Sequence, residues 1–252
     1  MDDGLIAFLA DPELLPPAEA SALAAVRWVT DLIPRGPRRP EGPLPLAAHL
    51  IALDSPRGVE MLAAADISGD YLRLTPYFAP QRHPKSCGAT TIAMVLNALD
   101  TEPERDGNVP GRRYHQGNVF NQATESVVQQ ADVERGGMSL IVLAGMFEAH
   151  GARVAVSYAS ESSLSRFREE AVAALQDPDS HLVVNYRRAV LLQQGTGHIS
   201  PVAAYHAASD RFLVLDVAWD LYPPAWVAAP DLFEAMNTNA GKRSRGWLVA
   251  GR

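Results

Sequence analysis

The hydrophobic pattern changes along the chain, and this change most constrains the fold. Apolar residues at helical spacing dominate the first half, whereas short apolar or alternating runs dominate the second half. The pattern predicts helices over 56–65, 88–99, 138–150, 162–176 and 230–237, and strands over 152–158, 181–187, 198–206, 211–217 and 245–250. Helices followed by strands are typical of an α+β domain. We therefore expect a helix of the first half to pack against an antiparallel sheet from the second.

Composition and charge exclude several classes of partner. The chain has 252 residues, 47% of them hydrophobic, which is enough for an ordinary globular core. Its net charge of −7 and its scattered basic residues disfavour nucleic acid and anionic membranes as partners. No apolar run approaches the roughly 20 residues of a membrane helix, and the acidic start has no signal-peptide charge pattern. We expect a cytoplasmic protein.

Cys87 is the only cysteine of the chain, which excludes an internal disulfide and a multi-cysteine metal cage. It is therefore either a buried packing residue or a reactive nucleophile. Pro84, Ser86 and Gly88 interrupt regular structure just before the predicted helix 88–99, so Cys87 falls in the first helical turn. Unpaired N–H groups and the helix dipole favour a thiolate there. The choice depends on whether a base lies nearby.

His198 differs from the other six histidines in its surroundings. The segment Gly195-Thr196-Gly197 precedes it, and these small residues leave room beside the imidazole for another backbone or a substrate. Asp216 closes the apolar run of the predicted strand 211–217. A buried aspartate needs a partner, and an imidazole on a neighbouring antiparallel strand would supply one. A solvated aspartate at a strand end is the alternative.

Cys87, His198 and Asp216 together can supply a thiolate, its proton acceptor and the group that orients that acceptor. Gln81 stands six residues before Cys87. Its side-chain amide and the Cys87 backbone N–H can both donate to a developing oxyanion. The sequence thus predicts a catalytic Cys-His-Asp site with an oxyanion donor.

Several longer segments carry a resemblance to a known family. They are FAPQRHPKSCG at 78–88, MVLNAL at 94–99, GGMSL at 136–140, GHISPVAAYH at 197–206, DRFLVLDV at 210–217, YPPAWV at 222–227 and AMNT at 235–238. In collinear order over about residues 48–250, they resemble the phytochelatin synthase family in its short bacterial form. We accordingly predict an N-terminal helix and proline-rich connector over 1–47 and a phytochelatin synthase-like catalytic domain over 48–252.

The resemblance implies a papain-like cysteine protease fold and an enzyme that acts on glutathione. Cys87 would be the nucleophile, His198 the base, Asp216 the orienting acid and Gln81 the oxyanion donor. The Cys–Gly bond of glutathione would be cleaved through a γ-glutamylcysteinyl thioester, with release of glycine. Hydrolysis then gives γ-glutamylcysteine, and transfer to a second glutathione gives phytochelatin, a peptide of heavy-metal detoxification.

Arg188 and Arg245 are similar in position to family residues that hold the γ-glutamyl part, and Gly197 leaves room for it. Guanidinium groups suit carboxylates, although solvated surface charge is the alternative for both arginines. The sequence also departs from the family. In the family, an acidic group near the substrate amine commonly follows the position of Thr238. Residues 239–244 of this chain contain no acidic residue. We expect substrate fit or the choice of acyl acceptor to differ accordingly.

No close His/Cys spacing predicts a metal site, and metal on Cys87 would block the nucleophile. We expect chemistry without a cofactor, with a heavy metal ion such as cadmium arriving as a glutathione thiolate complex. The sequence leaves a homodimer open.

Two other functions remain. One is a papain-like peptidase for a protein leader, which also has Gln six residues before Cys-Gly, although the Tyr-Pro-Pro and Met-Asn-Thr segments speak against it. The other is a non-catalytic thiol or metal-binding protein, whose Cys87 would have an ordinary thiol pKa near ~8.5.

Overall fold

The computed structural model describes residues 43–101 and 113–252. The helix predicted within 1–47 and most of its proline-rich connector lie outside these residues. The domain boundary at 47/48 therefore stays a prediction. The described residues all belong to one compact unit.

Seven α-helices lie in the described part of the chain. In chain order they are α1 Pro56–Ala63, α2 Gly69–Leu74, α3 Cys87–Ala98, α4 Gln130–Gly136, α5 Leu140–Ala149, α6 Leu164–Gln176 and α7 Ala229–Met236. Helix α3 is buried over all residues from Cys87 to Asn97. Its sequence is mostly apolar, as expected for a helix in the centre of a core.

The strands of residues 43–101 and 113–252 are β1 Ile51–Ala52, β2 Arg153–Tyr158, β3 Ser180–Arg187, β4 Gly197–His206, β5 Arg211–Val214, β6 Ala225–Ala228 and β7 Gly246–Gly251. They form a seven-stranded sheet of order β1-β6-β5-β4-β3-β7-β2. Every neighbouring pair is antiparallel. Strands β3 and β4 lie in the centre, so both are almost wholly buried.

Helix α3 packs against the central strand β4. Residues of α3, α5 and one face of the sheet form a common hydrophobic core that includes Leu96, Leu143 and Ile199. The Thr91 hydroxyl also donates a hydrogen bond of 3.3 Å to the Ile199 carbonyl. The α+β prediction is confirmed, and the helix that begins at Cys87 lies against the antiparallel sheet, in agreement with a papain-like fold.

The structure corrects the predicted elements at a few places. Helices α2 and α4 and strands β1 and β6 were not predicted; all four are seven residues or shorter, which gives periodicity little to act on. The strand predicted over 211–217 ends at Val214. Asp216 accepts a hydrogen bond of 2.9 Å from the Ala218 N–H, and this local turn takes the chain away from the sheet.

In the described part of the chain, no helix has the length and apolar character needed to cross a membrane.

Candidate active site

The N-terminus of α3 places Cys87. Cys87 is the first residue of the helix, and its side chain is buried with 7% exposure. The loop before it is held by Gln116. The Gln116 Oε1 accepts from the Arg82 N–H at 2.7 Å and from Ser86 Oγ at 3.2 Å, while its Nε2 donates to the Pro80 carbonyl at 2.7 Å. One side chain thus fixes the segment between Gln81 and Cys87.

Cys87 at the start of α3 and His198 on β4 interact across the interface between these two elements. Burial alone would raise the pKa of the Cys87 thiol. The hydrogen bond and charge of His198 and the backbone N–H groups of Ile199 and Gly88 outweigh burial, so the net pKa is below the ordinary value. The surroundings of this buried thiol therefore favour the thiolate more than burial alone would, unlike those of an inert packing cysteine.

The imidazole of His198 lies against Asp216. His198 Nε2 is 2.8 Å from Asp216 Oδ1, and both side chains are 4% exposed. Burial lowers the pKa of His198, but the charge of Asp216 and the contacts with Asp216 and Cys87 raise it above the ordinary value overall. A cationic imidazole is therefore favoured beside an anionic sulfur.

Asp216 is the most heavily contacted group of the site. Arg188 Nη2 lies 2.7 Å from each carboxylate oxygen. The Ala218 N–H donates to Oδ1 at 2.9 Å, and the Tyr186 hydroxyl approaches Oδ2 at 3.4 Å. Burial raises the pKa of Asp216, but the charges of His198 and Arg188 outweigh it and hold the pKa well below its usual range. Asp216 thus stays ionised in the core.

Arg188 lies against the carboxylate of Asp216. It is 3% exposed, and its guanidinium bonds Asp216 and, through Nη1, Gln193 Oε1 at 2.9 Å. The guanidinium also stacks 5.2 Å from the centre of the Tyr222 ring. Strand β3 ends at Arg187, and the 3-10 turn 188–191 directs the next side chain toward Asp216. Arg188 therefore contacts Asp216 and does not line the cavity beside Cys87, and its role as a substrate contact stays a prediction.

Gln81 lies beside the segment that carries Asp216. Its backbone N–H donates to the Val217 carbonyl at 2.8 Å, which places Gln81 next to Asp216 along the fold. The side chain is buried, and its Oε1 has no hydrogen-bond partner in the part of the chain described here. Its role as oxyanion donor remains a prediction.

A cavity of about 270 Å³ opens on Cys87 and His198. Asn185, Gly197 and Arg245 line its wall. A Cβ on Gly197 would lie only 3.1 Å from Arg245 Nη2, so a larger residue there would displace the guanidinium by a few tenths of an ångström. The space that the sequence predicted around His198 is thus used by an arginine side chain as well as by the cavity.

Arg245 presents a cation to this cavity. Its Nη1 donates to the Asn239 carbonyl at 2.6 Å and to Thr238 Oγ1 at 3.0 Å. Within the described ranges, no carboxylate lies at ion-pair distance from it. Burial and the charge of Arg187 lower the pKa of Arg245 from its high ordinary value. An anionic ligand group would compensate both effects.

Several site residues were not identified from the sequence. Tyr186 pairs with His198 in the β3–β4 register and sets its ring edge-on to the imidazole, with centroids 5.7 Å apart. Asn185, the preceding residue of β3, lines the cavity. Antiparallel pairing with the strand of His198 could have indicated both. Gln116 and Gln193 act through the fold and gave no local signal.

Within residues 43–101 and 113–252, no group of three or more His, Cys, Asp or Glu side chains is placed to hold a metal ion. The cavity wall instead offers a lowered-pKa thiol, an imidazole and a cation. This set can attack an acyl carbonyl and protonate its leaving group.

Comparison with known proteins identifies a family and several relatives of this chain. The family model described as "Phytochelatin synthase" matches residues 42–247. The chain is 36% identical over 186 residues to glutathione gamma-glutamylcysteinyltransferase 1 of Lotus japonicus, covering 72% of this chain and 36% of the relative. It is 35% identical to glutathione gamma-glutamylcysteinyltransferase 1 of Arabidopsis thaliana over 72% of this chain and 37% of the relative. The chain is 27% identical to the glutathione gamma-glutamylcysteinyltransferase of Schizosaccharomyces pombe, covering 81% of this chain and 49% of the relative. The chain thus spans less than half the length of these relatives.

Proposed function

This chain belongs to the phytochelatin synthase family, and from that membership and the site geometry we propose that it is a cysteine acyltransferase and hydrolase of glutathione. The observation that carries the proposal is the buried contact of Cys87, His198 and Asp216 on the wall of a cationic cavity. The relatives are named for transfer of a γ-glutamylcysteinyl group, and a thioester on Cys87 is the intermediate that such a transfer needs.

The first half-reaction forms the thioester. Cys87 Sγ attacks the carbonyl of the Cys–Gly peptide bond, and the C–N bond breaks. The imidazolium of His198 gives its proton to the departing glycine amine. Gln81 and the Cys87 N–H would stabilise the oxyanion, while Asp216 holds the imidazole in place.

The second half-reaction resolves the thioester. Water, or the amine of a second glutathione, attacks the acyl carbon and passes a proton to His198. The S–C bond breaks, which restores the Cys87 thiolate beside the His198 imidazolium and closes the cycle. Water yields γ-glutamylcysteine, and glutathione yields the pentapeptide γ-Glu-Cys-γ-Glu-Cys-Gly.

Recognition of glutathione follows from charge. Glutathione carries two carboxylates and one amine, and the lining of the catalytic cavity includes Lys85 and Arg245 but no acidic residue among those described. We assign the α-carboxylate of the γ-glutamyl residue to Arg245, because its guanidinium lacks a carboxylate partner there. Arg188 is assigned to Asp216.

The proposal also covers the cofactor requirement and the location of the enzyme. The chemistry uses side chains alone, and a heavy metal ion enters as a thiolate complex of the substrate. We place the enzyme in the cytoplasm, where glutathione is abundant and a lone thiol stays reduced.

Product analysis tests this function. The protein is incubated with glutathione, with and without cadmium, and glycine, γ-glutamylcysteine and the pentapeptide are quantified by mass spectrometry. We expect glycine release that is absent in Cys87→Ser. No glycine from glutathione, together with cleavage of a peptide leader at a Gly-Gly site, would favour the leader peptidase instead.

A further inference from the structure

A second cavity continues from the catalytic one. It has a volume of about 380 Å³ and is larger than the first cavity of about 270 Å³. The two share the walls Ser139, Asn185, Ala240 and Arg245, whereas Cys87 and His198 line only the first. The second cavity therefore lies farther from the nucleophile, beyond Arg245.

An ordered turn forms one wall of the second cavity. Asn239 and Ser244 pair as an antiparallel bridge, and the Ala240 N–H donates to the Arg243 carbonyl at 2.8 Å. Gly241 has φ of +87°, a conformation that side chains disfavour. The buried Ser244 accepts from the Ser160 N–H at 3.0 Å, which fixes the end of the turn. The turn thus holds the residues between its ends in a defined position.

The turn makes the second cavity cationic. Lys242, Arg243 and Arg245 line it, and no acidic residue is among its described lining residues. Arg243 stacks 4.6 Å from the centre of the Tyr158 ring. The nearest charge partner of Arg243 is Glu161 at 4.0 Å, with both side chains about 60% exposed, so water weakens this pair. The lining of this cavity therefore favours a ligand that carries negative charge.

We propose that the second cavity holds an additional γ-glutamylcysteine unit of an oligomeric acyl donor. This rests on the proposed function, in which Arg245 holds the α-carboxylate of the γ-glutamyl residue joined to Cys87. A group beyond Arg245 is then attached to the α-amine of that residue. The absence of an acidic wall suits an amine that is already acylated and uncharged, and each further γ-glutamyl unit adds one carboxylate for Lys242 and Arg243.

The bond changes are those of the glutathione reaction. Cys87 Sγ attacks the carbonyl before the terminal glycine of γ-Glu-Cys-γ-Glu-Cys-Gly, and the C–N bond breaks. His198 protonates the glycine amine. The resulting γ-glutamylcysteinyl oligomer is a thioester on Cys87, which water or an amine releases. No oxidant or reductant is required.

The test compares two donors. Initial glycine release gives kcat/KM for glutathione and for the pentapeptide in wild type, in the double variant Lys242→Ala/Arg243→Ala and in Arg153→Ala. Arg153 is an exposed arginine at the other end of β2 from Tyr158 and serves as the control. We expect the double variant to lose about fivefold to tenfold for the pentapeptide at low ionic strength, and less in high salt, with glutathione within about twofold. Equal losses for both donors, or no loss, would overturn the proposal.

A binding measurement separates this proposal from the proposed function. Calorimetry with Cys87→Ser protein measures the Kd of each peptide without turnover. The proposal requires that Lys242→Ala/Arg243→Ala weakens only the pentapeptide. If wild type releases no glycine from glutathione, the proposed function fails while the Kd values still test the cavity. If the double variant keeps both donor kcat/KM values but loses pentapeptide formation, the cavity holds the acyl acceptor and our assignment is refuted.

Discussion

Arg188→Met separates the two roles that an arginine could have at this site. The substitution removes the guanidinium but keeps an unbranched apolar chain beside Gly195, whose Cβ position would lie 3.0 Å from Arg188 Cδ. Because Arg188 acts on Asp216 and not on the cavity, we regard it as a positioning residue. Loss of the Arg188 guanidinium should affect Cys87 and His198 more than it affects the affinity for the substrate.

The expected magnitude follows from the buried pair. Arg188 Nη2 lies 2.7 Å from each oxygen of Asp216, and each residue is 3% exposed. Removing one partner of a buried ion pair typically lowers the free energy of unfolding by about 3–5 kcal/mol. A lost hydrogen bond to a charged group, about 1.5–3 kcal/mol, would lower kcat roughly tenfold to a hundredfold if it is expressed in the transition state. Asp216 retains His198 and the Ala218 N–H.

The charge of Arg188 determines the direction in which the pH profile should shift. The positive charge of Arg188 lowers the pKa of His198, and Arg188 and the Cys87 thiolate attract each other. Without that charge, the pKa of His198 rises further and the pKa of Cys87 also rises. The acidic limb of kcat/KM follows formation of the thiolate, and the basic limb follows loss of the imidazolium proton. Both limbs should therefore move to higher pH.

The assay is glycine release from glutathione across pH, with kcat and KM fitted separately. Arg188→Lys is the second variant, which keeps a charge but not the fork and should recover only part of kcat. Thermal unfolding of each variant shows whether a loss reflects unfolded protein. An unchanged pH profile together with a raised KM would refute the positioning role and restore the substrate contact implied by the family resemblance.

Five further variants test the proposed roles. Cys87→Ser should abolish glycine release with the fold intact, because a serine hydroxyl is far less ionised than this thiol; circular dichroism checks the fold, and activity within about tenfold of wild type would remove Cys87 from the mechanism. His198→Ala should be nearly as damaging and Asp216→Asn milder, and the Cys87/His198 double variant should lose little more than either single one; fully multiplied losses in kcat/KM would mean that the two are independent. Arg245→Met should raise the KM for glutathione about tenfold to a hundredfold while the alkylation rate of Cys87 and the pH profile stay unchanged; an unchanged KM would remove the carboxylate contact.

The proximity of Cys87, His198 and Asp216 could be predicted because its signals are local. The breaks around Cys87 mark a helix start, and small residues followed by an apolar run mark His198 at the start of a strand. Antiparallel pairing of β4 and β5 then brings Asp216 toward His198. These arguments need only one helix terminus and one strand pair.

The surroundings of the pair could not be predicted in this way. The direction of Arg188 depends on a 3-10 turn after β3, and Gln116 reaches its loop from 30 residues away. Neither contact has a periodic or spacing signal. The resemblance gave the position of Arg188 in the chain, but the side-chain partner follows from tertiary packing around Asp216.

A trapped acyl-enzyme tests the central claim most directly. Protein mixed with excess glutathione is quenched in acid within the first turnovers, digested and analysed by mass spectrometry. We predict a γ-glutamylcysteinyl group in thioester linkage on Cys87, formed together with one equivalent of glycine and lost in neutral hydroxylamine. Glycine release with Cys87 unmodified at every quench time, and with undiminished activity after Cys87 is alkylated, would contradict the account.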